Sequence, residues 1–263
     1  MTVTWRAFRQ SRRRSRQAWT ILAGAALVVT GGLGWFFTTG QFAAVEPAAG
    51  PTAAPVLAGE WMKAVSQPRP VPSGTAGAAL ETLPVKGRAA KDNYDRAAFG
   101  QAWFDVDRNG CDTRNDILRR DLADTQFTDG SRCRIAAGTF QDPYTGRLIS
   151  FRRGAGSSKA VQIDHVVALG DAWQKGAQQL TAQQRQLLAN DPLNLIAADG
   201  PANQDKSASD AATWLPPNKS FRCHYVARQI SVKAAYGLWV TAAEKEAMKR
   251  ILTSCPGQRT IVT

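Results

Sequence analysis

Apolar positions recur along this chain with two different spacings, and the change of spacing marks the change of element. Ala160-Val161-Gln162-Ile163 alternates, the period of two of a short half-buried strand, and it delivers Asp164 and His165 to the strand end. Leu193-Asn194-Leu195-Ile196-Ala197 predicts a second short strand, Asp199-Gly200 a turn, and Pro201 the first position of a helix running through Asn203 and Lys206. The implied order is strand, strand, helix. Asn203 and Lys206 lie three apart and therefore share a helix face, which can turn toward the strand bearing Asp164 and His165.

The same reading extends over the rest of the C-terminal two thirds. Ala98, Phe99, Ala102 and Trp103 have helical spacing within residues 95–104, and residues 115–122 predict a short helix with Ile117, Leu118 and Leu122 inward. Residues 134–141 and 147–152 predict two strands joined by the turn Asp142-Pro143-Tyr144-Thr145-Gly146, and residues 161–164 add a third. Thr181 with Gln184 forms a capping box for a helix ending near Asn190. Thr241 with Glu244 forms another for the last helix, ending before Cys255-Pro256. Between them residues 220–236 predict a helix, with Phe221, Tyr225, Ile230 and Trp239 as packing residues rather than a base-stacking platform. The fold class implied is α+β, with a small antiparallel sheet and additional helices. No internal repeat, P-loop or dinucleotide fingerprint occurs.

The first 90 residues read differently. Residues 1–17 hold Arg6, Arg9, Arg12, Arg13, Arg14 and Arg16 and no acid, whereas residues 18–37 hold no charge. Twenty uncharged, mostly apolar residues span a bilayer as a helix, and the flanking arginines hold the N-terminus in the cytoplasm. We therefore read 1–17 as a basic cytoplasmic tail, 18–38 as a transmembrane anchor or signal segment, 39–90 as an Ala/Pro/Gly-rich linker, and 91–263 as the globular domain. The length of the uncharged segment, with only Phe42-Ala43-Ala44 as a weak cleavage site, favours an anchor over a cleaved signal. Either way the domain is exported.

Four cysteines, Cys111, Cys133, Cys223 and Cys255, agree with an oxidising compartment, and none has the C-x₂-C spacing of a zinc knuckle. Three connectivities are open; proximity favours Cys111 with Cys133 and Cys223 with Cys255. The net charge of +12 is inflated by the N-terminal arginines: residues 91–263 carry 23 basic against 18 acidic residues, a net +5. A moderately basic domain suits a polyanion without requiring one. By clustering, Arg114, Arg119, Arg120, Arg152, Arg153 and Lys159 are candidate phosphate contacts.

The chemistry concentrates at Asp164-His165, with Asn194, Asn203 and Lys206 behind. Cleaving a phosphodiester near neutral pH requires a base to activate water and a cation to neutralise charge on the phosphate and the departing oxygen. An acid, one of only two histidines and a carboxamide supply those parts. This pattern resembles the HNH endonucleases of the ββα-metal superfamily, in particular their exported bacterial branch with an Asp-His pair. Tyr94-Asp95-Arg96, Asn109-Gly110-Cys111-Asp112-Thr113-Arg114, Asp142-Pro143-Tyr144-Thr145-Gly146 and Trp214-Leu215-Pro216-Pro217 extend the resemblance over about residues 91 to 255.

The resemblance implies a ββα-metal core preceded by additional elements, with His165 as general base, Asp164 and Asn203 as ligands of one divalent cation, and Asn194 bracing the loop and orienting the histidine. Lys206, together with Arg114, would contact phosphate. The family often has histidine where this chain has Asn203, and an amide oxygen is a hard ligand, which points to Mg²⁺ or Mn²⁺ over Zn²⁺. The family also often has proline three residues after the histidine, where Ala168 stands here, and about two dozen residues of predicted helix separate His165 from Asn194. The expected partner is DNA, with RNA as the alternative, and the membrane through residues 18–38; no small-molecule cofactor is implied. The expected products carry 5′-phosphate and 3′-hydroxyl ends.

Asp105, Asp107 and Asn109, with Gly110, imitate the opening of a calcium-binding EF loop. However, Asp112 stands where a branched apolar residue belongs and Asp116 where a bidentate Glu belongs, so a polar turn is the leading reading and Ca²⁺ the alternative. His224 has no acid partner nearby in sequence and reads as structural. Two other function classes fit the same composition: a non-catalytic, surface-tethered module binding an acidic polymer, and an inactive nuclease fold used in protein recognition.

Overall fold

In a computed structural model, residues 67–154 and 157–262 are described. The basic tail and the uncharged segment 18–38 lie outside the described residues, as does residues 39–66 of the expected linker. Among the described residues no helix is long and apolar enough to cross a membrane.

The described residues form an α+β body. Helix α1 is Ala76–Thr82 and α2 is Thr113–Asp121; strands β1 (Ala123–Phe127), β2 (Ile135–Gln141) and β3 (Leu148–Arg152) follow. Strand β4 is Val161–His165, helices α3 (Leu169–Gln174) and α4 (Ala182–Asn190) come next, then β5 (Leu195–Asp199) and α5 (Gly200–Lys206). Helices α6 (Arg222–Tyr236) and α7 (Ala242–Thr253) close the chain.

The stretch from residue 67 to residue 90, expected as linker, belongs in part to this body. Thr75 caps α1 by accepting from Ala78 N at 3.2 Å, and Ala76, Ala79, Leu80 and Leu83 are buried in the cluster that holds Tyr225, Val226 and Ile230 of α6. Alanine-rich composition reads as linker, yet alanine is also the best helix former, and a short amphipathic helix needs only this one face.

Residues 95–104 do not form a full helix. A single 3₁₀ turn, Arg96–Phe99, is capped by Asp95 and ended by Gly100, whose φ of 75° is a conformation glycine adopts without strain. The helix expected over 115–122 begins two residues earlier because Asp112 caps it, and Ile117, Leu118 and Leu122 are buried. Strands β2 and β3 pair antiparallel across the Asp142–Gly146 turn, and β1, which no hydrophobic alternation marks, adds to the other edge of β2. Its pattern is exposed on both faces, so it forms through backbone pairing alone.

Strand β4 does not join this sheet as a third strand. It pairs antiparallel with β5 in a separate two-stranded ribbon, Asp164 opposite Ile196 and His165 opposite Leu195. Strand β5 starts two residues later than the apolar run suggests, because residues 191–194 are spent in a turn closed by Asp191. Helix α5 follows at once: Asp199 accepts from Ala202 N at 2.9 Å, so Asp199 is the cap rather than a turn residue, Gly200 is the first helical residue and Pro201 the second. A side chain at Gly200 would meet the Lys159 carbonyl at 2.0 Å, so only glycine lets α5 approach β4 this closely. Both capping boxes, at α4 and α7, are present.

Cys111 is bonded to Cys133 and Cys223 to Cys255, with Cα atoms 5.3 and 6.4 Å apart. The closed loops span 22 and 32 residues. Each contributes roughly 3–4 kcal/mol in the chain-entropy account.

Candidate functional site

Strand β4 carries Asp164 and His165 to its C-terminal end, where both line a cleft of about 400 Å³ together with Gln162 and, from α5, Asn203. His165 is 7% exposed, and its Nε2 lies 2.8 Å from the Ala189 carbonyl at the end of α4. A carbonyl can only accept, so Nε2 carries the proton and Nδ1 keeps the lone pair. Burial, reinforced by the charges of Arg96 and Lys206, pulls the imidazole down to about 3 against the bond to Ala189, so the ring is neutral.

Asn194 supplies the frame for that contact. It is fully buried; its Oδ1 accepts from Val167 N at 2.8 Å, and its Nδ2 donates to the Leu188 carbonyl at 3.1 Å and to that of Val167 at 3.3 Å. One side chain thus ties the exit of β4 to the end of α4, the two segments that meet at His165 and Ala189. The turn holding Asn194 is itself clamped by Arg228, which donates to the carbonyls of Pro192, Leu193 and Leu195 at 2.7–2.9 Å, and by Arg120, which donates to those of Pro192 and Leu195. Burial and Arg120 push the Arg228 guanidinium down to about 10, which leaves it a cation at neutral pH.

The Asp164 carboxylate accepts from the Tyr144 hydroxyl at 2.6 Å and from Lys206 Nζ at 3.0 Å. Tyr144 is wholly buried among Trp214, Phe221 and Tyr225. Burial pushes Asp164 above the usual carboxylate range against the pull of Lys206 and Tyr144. Asn203 donates its Nδ2 to Gln162 Oε1 at 2.8 Å, and its Oδ1 has no partner among the described residues.

Two sequence-derived roles change. Lys206 has no exposed surface, and its ammonium is used on Asp164 and on the His165 carbonyl at 2.8 Å, so it is not placed to contact a phosphate. Its face of α5 turns inward because Asp164 is the nearby counter-charge. Arg114 lies over the Trp103 ring at 5.7 Å and does not line the cleft. Nor are the other clustered arginines all free: Arg153 donates to the Ile135 carbonyl and to Asn115, as Arg120 does to the Asn194 turn. The cations that line the cleft are Lys91 and Arg96. Arg96 sits in the quoted Tyr94-Asp95-Arg96 motif, so the motif was visible while the role was not.

A divalent cation fits the donor set. Among the described residues no cluster of three His, Cys, Asp or Glu side chains occurs. Asp164 and Asn203 nevertheless bring two hard oxygens to one cleft. A carboxylate has about four lone-pair positions; Tyr144 takes one and Lys206 Nζ, 3.0 Å from both oxygens, takes two, so about one is left for a cation. One carboxylate and one amide, with water and phosphate completing the sphere, suit Mg²⁺ or Mn²⁺.

The acidic loop is closed by its own donors. Asp105 accepts from Gly110 N and Asn109 N, and the Asn109 Nδ2 donates to Asp107 and Asp116 at 2.9 and 3.1 Å. These are the bonds of a polar turn. His224 is half-buried against Phe221, and burial lowers its pKa.

A neutral histidine and a buried acid at the end of β4 and a carboxamide from α5 thus share one cleft. The family described as GmrSD restriction endonucleases, C-terminal domain, matches residues 112–251, a span that includes Asp164, His165, Asn194, Asn203 and Lys206. The chain is also 37% identical over 200 residues to a protein of Arthroderma benhamiae described as an "Uncharacterized secreted protein", covering 73% of this chain and 93% of that one. No solved structure matches. The chain belongs to the GmrSD restriction endonuclease C-terminal domain family, an HNH-type endonuclease family. Lys91 and Arg96 lie before the matched span.

Proposed function

We propose that this chain is an exported, metal-dependent endonuclease that hydrolyses nucleic-acid phosphodiester bonds at the Asp164-His165 cleft, in a ββα-metal core made by β4, β5 and α5. The observation that carries the reading is the convergence of a neutral His165, a buried Asp164 and the unpartnered amide oxygen of Asn203 on one cleft edged by Lys91 and Arg96. Export is supported by the two disulfides and by the relative described as secreted. The uncharged segment 18–38 would serve as anchor or cleaved signal.

His165 Nδ1 takes the proton of the attacking water. An anionic phosphate beside the ring stabilises the imidazolium that forms and so opposes the burial that keeps the free ring neutral. Asn194 and the Ala189 carbonyl hold the ring in the tautomer this requires. Lys91 and Arg96 attract and seat the phosphate. Lys206 keeps Asp164 ionised and pins the His165 backbone. Asp164 and Asn203 would hold the cation, which when bound would supply stabilisation of negative charge on the phosphate and the departing oxygen. The water oxygen bonds to phosphorus as the bond to the 3′ oxygen breaks, the departing oxygen takes a proton from solvent, and the ends are 5′-phosphate and 3′-hydroxyl.

The test is cleavage of plasmid and of single-stranded DNA and RNA by the full-length chain with Mg²⁺ or Mn²⁺ and with EDTA. Metal should restore an EDTA-treated sample. Asp164→Ala and Asn203→Ala should each weaken cleavage strongly. Because both act through one ion, the double variant should lose much less than the product of the single losses. Cleavage at full rate in excess EDTA would remove the metal from the mechanism.

A further inference from the structure

A second cavity, of about 240 Å³, adjoins the cleft: Arg96, His165 and Leu169 line both. Its walls are apolar and aromatic, with Phe99 and Trp103, and it is smaller than the roughly 300–1,000 Å³ typical of drug-sized ligands. Asn190 also lines it. That side chain is 1% exposed and donates its Nδ2 to the carbonyls of Gln101 and Gln186, while its Oδ1 is buried without a hydrogen-bond partner. That oxygen has no accessible surface, so the polar end of Asn190 is sealed behind the wall and the open lining is apolar. Trp103 holds a positive φ of 60°, a strained backbone for so bulky a residue, and is kept there by Thr113 of α2, which bonds the Trp103 and Phe104 carbonyls.

We propose that this cavity takes one nucleobase of the substrate, unstacked from its strand, while a neighbouring phosphate lies in the cleft against His165. The inference deepens the nuclease reading and rests on it. Trp103, part-exposed at the cavity wall, supplies the stacking face, and Phe99 the apolar floor behind it. In a duplex both faces of each base are committed to their stacked neighbours. The substrate class is therefore single-stranded or locally unpaired nucleic acid.

The experiment uses the full-length chain in two arms. In EDTA, adenosine and cytidine 5′-monophosphate are compared with ribose 5-phosphate by calorimetry. In Mg²⁺, a single strand is compared with its duplex in a cleavage assay. The nucleotides should bind at least tenfold tighter than the sugar phosphate, and Trp103→Leu should reduce that advantage and single-strand kcat/KM roughly 5- to 150-fold. Trp103→Phe, which keeps a stacking face, should restore most of the loss, and circular dichroism confirms that each variant is folded. Equal binding of nucleotide and sugar phosphate, or a folded Trp103→Leu variant that keeps the nucleotide advantage, would overturn the base pocket even if cleavage persists. Nucleotide binding through Trp103 with no cleavage of either strand would leave the pocket standing and remove the nuclease reading.

Discussion

Two groups of buried charge lie close together in this protein, and they are closed in different ways. In the first, Lys175 Nζ, with no exposed surface, is 2.7 Å from each of Asp171, Asp210 and Glu244. Lys233 adds contacts to Glu244 at 3.0 Å and Asp171 at 3.6 Å, and Arg88 binds Asp171 and Asp210. Three cations meet three acids, and together they tie α3, the segment after α5, α6 and α7 into one frame. In the second group, Asp164 meets Lys206 and Tyr144, but it borders a cleft with a histidine lone pair and an amide oxygen beside it. The first assembly pairs every charge with an opposite one inside the fold, Glu244 Oε1 meeting Lys233 as an ion pair without a hydrogen bond, and it is scaffold. The second keeps donors in reserve, and that reserve is where an incoming cation and phosphate can be bound.

The contrast can be broken at four places. The largest effect is expected at His165→Ala, which should lower the cleavage rate roughly 10²- to 10⁴-fold with the fold intact by circular dichroism. A variant cutting within a factor of two of the parent would take the base away from His165. Next, Lys175→Met removes the one cation shared by three buried carboxylates, leaving them only Arg88 and Lys233, and should cost about 3–5 kcal/mol in denaturant unfolding. A loss too small to measure would show that the frame does not depend on this lysine.

Lys206→Met should cost less, about 1–3 kcal/mol, because it strands one carboxylate that still has the Tyr144 hydroxyl and borders the cleft. Mg²⁺ should return part of that stability, and should return none to Lys175→Met. If the two lysines respond alike, the distinction between open and closed charge is wrong. The smallest effect separates the arginines: Arg96→Ala should flatten the salt dependence of nucleic-acid binding by about 0.7–0.9 in log–log slope, the share of one phosphate contact. Arg114→Ala, whose guanidinium rests on Trp103 at the adjoining cavity rather than in the cleft lining, should change the slope less.

Much of the site could be read before any fold was known. Asp164, His165, Asn194 and Asn203 occupy one neighbourhood as the strand-strand-helix order implied, and Asn194 braces the loop through its side chain. The partners were not legible. Lys206 binds an acid 42 residues away, Arg228 binds carbonyls 33 to 36 residues away, and Arg96 reaches the cleft from before the matched span. A charge run has the same letters whether it solvates a surface, clamps a turn or seats a phosphate.

By itself the sequence determined what depends on neighbours in the chain. The capping boxes at Thr181 and Thr241, the helix begun near Asp112, the Asp142–Gly146 hairpin and the Asp-His strand end are legible because a cap, a turn or a period involves only a few successive residues. Tertiary structure alone decided which strands share a sheet, that residues 76–83 pack into the body, and that β1 pairs without an apolar face. It also decided which buried charges close on one another and which stay open to a cleft. Those outcomes depend on burial and on counter-charges that arrive from distant parts of the chain, so no local window contains the interaction that selects them.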